Sequence, residues 1–300
     1  MDSTLFAPDV PTLVQGITGR AGRTHAQLMR RYGTRIVGGV SARGTEPIGD
    51  IPVFAACSDA VRATGARASL LMVPPLDVLA AGAEAIAAGI ELLVCVTEGV
   101  PAHDALKLVR LARAQGAVCI GPSTPGIAIP GRMKIGFLPD AALAPGPIGV
   151  MSKSGTLSYE ICHRLAQRGI GQSLWIGVGG DAVKGTRFAD LVPLFEDRAD
   201  TVAVLVIGEI GGTEEEDLAE ALMRHRAQKP VFVLLAGTNA PEGVTMGHAG
   251  ALIYGARGTA ASKIAALRQA GAHVFATMAE LVDAVPDLIA AAASSGTATR

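Results

Sequence analysis

His248 lies in Met246-Gly247-His248-Ala249-Gly250-Ala251, a run of small residues inside the longer glycine-rich stretch Ala236–Gly258. Small neighbours let the backbone approach another group closely and leave the imidazole room to swing. A histidine so placed can act as a nucleophile if a carboxylate orients its ring. It is equally what an ordinary solvated loop histidine looks like. The other histidines are less distinctive: His25, His163 and His225 fall on expected helices among charges, His103 starts a helix, and His273 starts a strand. Glu209, in Gly208-Glu209-Ile210-Gly211-Gly212, stands where a strand runs out. A carboxylate there could hold an imidazole in one tautomer, and a solvated strand-end acid explains it as well. Ser154-Gly155-Thr156 follows Lys153 at the start of a helix. Free N–H groups, two hydroxyls and a lysine suit an anion, and plain N-capping would use the same residues. Neither a Walker A loop nor a G-x-S-x-G nucleophile elbow is present.

A second group of residues points to a phosphorylated ligand. Strand Thr12–Gln15 runs into Gly16-Ile17-Thr18-Gly19-Arg20-Ala21-Gly22 and then a helix. Such a turn gathers N–H groups and the positive helix end at one point, which suits a pyrophosphate. Its spacing is G-x-x-G-x-x-G, not the dinucleotide pattern G-x-G-x-x-G. The second strand ends in Val40-Ser41-Ala42-Arg43-Gly44. NAD-binding folds place an acid there for the ribose 2′-hydroxyl. The cation Arg43 instead suits a ligand with an extra phosphate, and NADP and CoA both carry one. Arg43 is otherwise a solvated loop charge. Val73-Pro74-Pro75 and Val96-Thr97-Glu98-Gly99 add strand-end loops on the same sheet edge, where such ligands bind.

The elements that must hold these residues alternate. In the first half, strands are expected at Thr12–Gln15, Arg35–Val40, Ser69–Val73, Leu92–Val96 and Val118–Ile120. Helices are expected at His25–Tyr32, Ser58–Thr64, Asp77–Ala88 and Ala102–Gln115. The alternation predicts an α/β fold with a parallel sheet covered on both faces. Gly121–Pro147 carries six prolines and breaks the rhythm, so residues 123–147 are expected to link two domains, 1–122 and 148–290. The second domain follows with strands Ile148–Met151, Leu174–Val178, Thr201–Ile207, Val231–Leu235 and His273–Ala276. Its helices are Leu157–Gln167, Phe188–Phe195, Glu214–His225, Ala260–Ala270 and Met278–Val285. The small, polar tail Ala291–Arg300 is expected to be disordered.

Composition narrows the classes. At 300 residues the length fits two domains with real cores. Aromatics are only 4% against 49% apolar residues, and glycine is frequent, as strand-to-helix turns require. A net charge of −1 argues against nucleic acid and anionic membranes as partners. Pro, Gly or charge breaks every apolar run well before the ~18 residues of a membrane span, and no signal peptide is evident. Cys57, Cys95, Cys119 and Cys162 show no C-x-x-C pairing or metal-ligand spacing, so a reduced, cytoplasmic protein without structural metal is expected.

Taken together, the segments QGITG, YGTRIVGGV, VTEGVP, GPSTPG, KSGTLSYE, GVGGD, IGEIGG and MGHAGA, in this order from about Val14 to Val285, resemble the α subunit of succinate–CoA ligase. The combination of MGHAGA, KSGTLSYE and IGEIGG is specific, whereas the glycine turn alone is not. The resemblance implies a Rossmann-like CoA-binding domain followed by a flavodoxin-like domain. It implies an acid–CoA ligase, ADP- or GDP-forming, in which His248 carries phosphate between a nucleotide and an acyl phosphate. Glu209 would orient the ring, Ser154, Gly155 and Thr156 would cradle the phosphoryl group, and Tyr159 would stand near the carboxylate substrate. Thr18, Gly19, Arg20 and Ala21 would meet the CoA pyrophosphate, Arg43 would take the place of a CoA-binding lysine, and Val96, Thr97 and Glu98 would form another CoA segment. No ATP signature occurs in the chain. Mg-ATP or Mg-GTP is therefore expected on a partner, by resemblance an ATP-grasp β subunit.

The sequence departs from the family pattern in three places. The Ser41–Asp50 loop is short and lacks a lysine-glycine pair, Ser123-Thr124 replaces asparagine-cysteine, and Ala182-Val183-Lys184 replaces a proline-containing run. These leave the acid open between succinate and relatives such as malate. A non-catalytic CoA or nucleotide sensor is a rival of another class, opposed by MGHAGA with Glu209. An NADP reductase would need hydride-site residues, and the sequence shows none.

Overall fold

Strand β1 (Thr12–Gln15) is buried at all four positions, as expected of a strand covered on both faces. In the computed structural model, which describes residues 1–238, 248 and 257–296, the chain divides into two units. One is Met1–Leu138 with Val183–Thr186, the other Pro139–Ala182 with Arg187–Arg300.

The first unit continues with α1 (Arg20–Tyr32), β2 (Ile36–Val40), β3 (Val53–Phe54), α2 (Cys57–Thr64), β4 (Ala68–Leu71) and α3 (Val78–Ala87). Then come β5 (Leu92–Cys95), α4 (Ala102–Ala114), β6 (Val118–Ile120), β7 (Gly126–Ile129) and β8 (Met133–Gly136). Six strands form one sheet in the order β3-β2-β1-β4-β5-β6, parallel throughout. This is the Rossmann order, with its direction of growth reversing at β1. Helix α1 buries Gly22, Ala26 and Met29, one face at helical spacing. Gly22 lets that helix sit close to the turn feeding it. A Cβ at Gly22 would lie 2.3 Å from the Gly16 carbonyl oxygen.

The second unit contains β9 (Pro145–Ser152), α5 (Gly155–Gln167), β10 (Gln172–Gly177), α6 (Phe188–Asp197), β11 (Ala203–Glu209) and α7 (Glu214–His225). It ends with β12 (Val231–Ala236), α8 (Ala260–Gln269), β13 (His273–Phe275) and α9 (Met278–Gly296). Its strands run in the order β13-β12-β11-β9-β10, all parallel. This is the flavodoxin-like order, reversing between β9 and β11. The core beneath it includes Trp175, Phe188, Phe195 and Phe232, all fully buried.

Three expectations need correction. Residues 123–147 are not a plain linker. Ile127, Ile129, Met133 and Ile135 are buried in an antiparallel hairpin of β7 and β8. Pro125, Pro130 and Pro139 fall outside the paired residues, where a missing N–H costs nothing. Helix α1 starts at Arg20, five residues before the expected His25, because the turn's own end winds directly into it. The 291–300 tail is helical as far as Gly296, since alanine is the strongest helix former. The two-residue edge strand β3 was too short to show a period. Most of the stretch Ala236–Gly258 lies outside the described residues, His248 excepted.

The four cysteines are buried and none is in a disulfide. Burial pushes the thiols of Cys57, Cys119 and Cys162 up to about 12, so they stay protonated and unreactive at neutral pH. No helix among the described residues is long and apolar enough to cross a membrane.

The contact at Gly22 can be tested. Gly22→Ala forces a methyl group against backbone atoms that cannot rotate away. It should destabilise the first unit by about 1–3 kcal/mol, the usual cost of overpacking. Chemical denaturation of the two proteins side by side measures this, and an unchanged midpoint would show that the helix can shift at no cost.

Candidate functional site

In each sheet the strand order reverses once, and most of the candidate residues lie at the carboxyl ends of the strands beside that reversal. In the first unit a cleft of about 630 Å³ lies between the ends of β1, β2 and β4. Thr18, Gly19, Arg20, Ala21 and Arg43 line it. Gly19 caps α1 without any side chain over the helix end, so nothing of the cap itself stands between the first N–H groups and an anion. Thr18 and Ser41 hydroxyls share a 2.6 Å hydrogen bond, and Ser41 Oγ also accepts from the Arg43 N–H at 3.1 Å. The phosphate-type turn is thus tied to the loop that carries the arginine. Val96, Thr97 and Glu98 do not line this cleft. They follow β5, one strand further out, where the Thr97 hydroxyl donates to the Val73 carbonyl at 2.9 Å.

In the second unit, β9 and β11 are neighbours with Ser152 in register with Ile207. That register carries Lys153-Ser154 and Glu209 to the same edge. Ser154 caps α5, its hydroxyl accepting from the Leu157 N–H at 3.3 Å. The capping role is therefore real, and it leaves the first-turn N–H groups of Gly155 and Thr156 at the positive end of the helix. Glu209 is buried, and its Oε2 lies 2.5 Å from Nδ1 of the part-exposed His248. A carboxylate accepts, so Nδ1 carries the proton and Nε2 keeps its lone pair for attack. Gly180 packs against this ring: a Cβ there would stand 2.6 Å from His248 Cγ. Tyr159, four residues into α5, leans on Trp175 with ring centroids 6.2 Å apart. Burial pushes its phenol up to about 12, which keeps it a neutral hydrogen-bonding group.

Apart from Lys153, which the sequence offered as part of an anion site, the charged residues around this pair were not singled out from sequence. Lys153 contacts Glu215 at 2.9 Å, Glu214 at 3.6 Å and Glu209 at 3.9 Å. Lys263 pairs with Glu215, both side chains fully buried. Burial alone would push the Glu215 carboxyl upward, but the two ammonium groups outweigh it and hold the carboxyl below its ordinary value. The lysines move in opposite directions. Burial lowers both, yet Lys153 faces three carboxylates and ends up raised. Lys263 ends up lowered, because Glu215 does not fully offset its burial. A Glu214-Glu215-Glu216 run opening α7 reads as a solvated helix N-terminus, so only the isolated lysine in alanine-rich α8 hinted at a partner. No cluster able to hold a metal ion occurs among the described residues.

Comparison with known proteins bears on this arrangement. The CoA binding domain family matches residues 9–99 and the CoA-ligase family residues 151–273. The succinate–CoA ligase [ADP-forming] subunit alpha 1 of Archaeoglobus fulgidus is 46% identical over 91% of this chain and 94% of its own length. The chain belongs to the succinate–CoA ligase α-subunit family. Its Aquifex aeolicus relative is 44% identical over 95% of this chain and 94% of that protein. Among solved structures, ATP citrate lyase from Methanothrix soehngenii, in complex with citrate and coenzyme A, superposes with a TM-score of 0.87 at 24% identity. It covers 99% of this chain, which spans only 52% of that one, and the likeness supports the fold. Within this α-subunit family the first unit is the CoA-binding domain and the second the ligase domain.

The pair Glu215–Lys263 gives a pH-dependent prediction. A lowered carboxyl contributes stability above its ordinary value of 4.5, and that contribution disappears as the pH falls through the lowered folded value. Glu215→Gln removes the nearest carboxylate from two buried ammonium groups and should cost about 3–5 kcal/mol near neutral pH. The gap between wild type and variant should narrow as the pH drops below 4.5. Urea titrations at several pH values would measure it, and a gap that stays constant into acid would contradict the assignment.

Proposed function

We propose that this chain is the α subunit of an ADP-forming acid–CoA ligase that makes succinyl-CoA through a phosphohistidine at His248. The observation that carries the reading is the 2.5 Å contact between His248 Nδ1 and Glu209 Oε2. It fixes a tautomer in which the other ring nitrogen carries the lone pair needed of a nucleophile. Succinate is favoured as the acid because the Archaeoglobus fulgidus and Aquifex aeolicus relatives carry that name. Mg-ATP would be bound by an ATP-grasp β subunit.

His248 Nε2 attacks the terminal phosphorus of ATP, and ADP leaves. Glu209 keeps the Nδ1 proton in place and balances the positive charge that grows on the ring. The backbone N–H groups of Gly155 and Thr156 and the dipole of α5 offset the charge of the transferred group. A carboxylate oxygen of the acid, oriented near Tyr159, then takes the phosphoryl group from His248 to give an acyl phosphate. The thiolate of CoA attacks the acyl carbon, inorganic phosphate departs, and the thioester is left. In the first unit, Thr18, Gly19, Arg20 and Ala21 would hold the CoA pyrophosphate. Arg43 would meet the 3′-phosphate, and Val96, Thr97 and Glu98 would border the ligand beyond Val73.

His248→Asn should abolish both incorporation of labelled phosphate from ATP and thioester synthesis by the two-subunit enzyme, with CoA binding retained. Glu209→Gln should slow phosphorylation without abolishing it. Base-stable, acid-labile phosphate on the His248→Asn chain would refute the mechanism. Arg43→Ala should weaken CoA binding by about 1.5–3 kcal/mol, the range for hydrogen bonds to charged groups. Dephospho-CoA should bind wild type and this variant almost equally. Calorimetry with both ligands measures this, and an equal penalty for losing the 3′-phosphate in both proteins would remove Arg43 from the site.

A further inference from the structure

Glu209 is held by charges that the proposed chemistry does not itself use. Its carbonyl accepts from Lys263 Nζ at 2.7 Å, and its N–H donates to Glu215 Oε1 at 3.0 Å. Those two partners are themselves a buried ion pair, so one pair fixes both backbone groups of the residue that aims His248. The side chain has a third neighbour. Lys153 Nζ lies 3.9 Å from Glu209 Oε1, on the carboxylate oxygen that His248 does not use. Lys153 also immediately precedes the Ser154 cap of α5. It therefore joins the phosphate-binding helix end to the ring-orienting acid through a single residue.

The charges around Glu209 come from four elements. They are Lys153 after β9, Glu214 and Glu215 on α7, Lys263 on α8, and His248 itself. Two ammonium groups face four buried carboxylates, the fourth being Glu216, which acts on Lys263. Losing Lys153 leaves one against four, and losing the charge of Glu214 leaves two against three. In so dry a setting a single charge a few ångströms away shifts proton equilibria strongly.

We infer that Lys153 is a positioning residue for the phosphoryl-carrying histidine: it holds the Glu209 carboxylate aimed at His248 Nδ1, while the Glu215–Lys263 pair fixes the backbone beneath. The inference rests on His248 being the phosphorylated residue. Phosphorylation needs a neutral ring with a lone pair on Nε2, so its rate falls as acid protonates the His248 imidazole. The position of that acidic limb reports the charge around the pair. A lysine that served packing alone would change the rate at every pH and leave the limb where it was.

The experiment measures the rate of phosphate incorporation from labelled ATP against pH, in the two-subunit enzyme, for wild type, Lys153→Gln, Lys153→Arg and Glu214→Gln. Lys153→Gln should move the midpoint of the acidic limb upward by about one pH unit or more. Lys153→Arg keeps the charge and should stay at the wild-type midpoint, whatever its maximal rate. Glu214→Gln should move the midpoint downward, since Lys153 then has one competitor fewer. Its amide oxygen can still accept from the Phe188 N–H, as Glu214 does at 3.1 Å. Should Lys153→Gln fail to fold, the downward shift in Glu214→Gln decides alone. An unmoved midpoint in either glutamine variant, or an arginine variant that tracks the glutamine one, would overturn the inference. If wild type itself takes up no phosphate on His248, the functional reading falls first and this inference falls with it.

Discussion

A carboxylate removed from water keeps its charge only beside a cation, and that requirement organises the second unit. Glu215 is fully buried, under the end of β11, and it serves Lys153, Lys263 and the Glu209 N–H at once. Its desolvation is large, so each partner is held in a narrow geometry. Three segments distant in sequence meet on it: the end of β9, the start of α7 and the body of α8. The strand edge that bears Glu209 is rigid because the charges beneath it cannot be rearranged cheaply. The first unit has no such cluster around its cleft. Its site is shaped by backbone, with a glycine-built turn, a helix end bare of a side-chain cap, and hydroxyls linking one loop to the next.

The two sheets solve the same topological problem twice. Each reverses its direction of growth beside its first strand, β1 in one unit and β9 in the other. The strand-end loops then differ in chemistry. One edge presents glycine, hydroxyl and arginine, suited to a large anionic ligand. The other presents an imidazole–carboxylate pair beside a helix N-terminus, suited to moving a phosphoryl group.

Much of this could be read from the sequence because buried parallel strands are short apolar runs ended by glycine. Strands Thr12–Gln15 and Val118–Ile120 and helix Glu214–His225 were located to the residue for that reason. The hairpin of β7 and β8 was hidden by its flanking prolines, which mark ends of pairing as readily as they mark a linker. The candidate residues His248, Glu209 and Ser154 stood out by their small neighbours. The charges that hold them did not, since a glutamate run at a helix start looks the same whether it faces water or a buried lysine. Val96, Thr97 and Glu98 were grouped with the cleft by sequence, and strand order sets them one place further out.

The first unit is assembled from two stretches of chain far apart in sequence. Val183–Thr186 belongs to it: the Gly185 N–H donates to the Gly121 carbonyl at 2.9 Å, and the Thr186 hydroxyl donates to the Cys119 carbonyl at 2.9 Å. A Cβ at Gly185 would lie 2.1 Å from that same Cys119 oxygen, so the clasp leaves no room for anything larger. The two units are therefore interleaved in sequence. No single cut point yields both intact, and recombination that exchanged either half for a foreign one at residue 138 would leave the dinucleotide-type fold missing its last four residues.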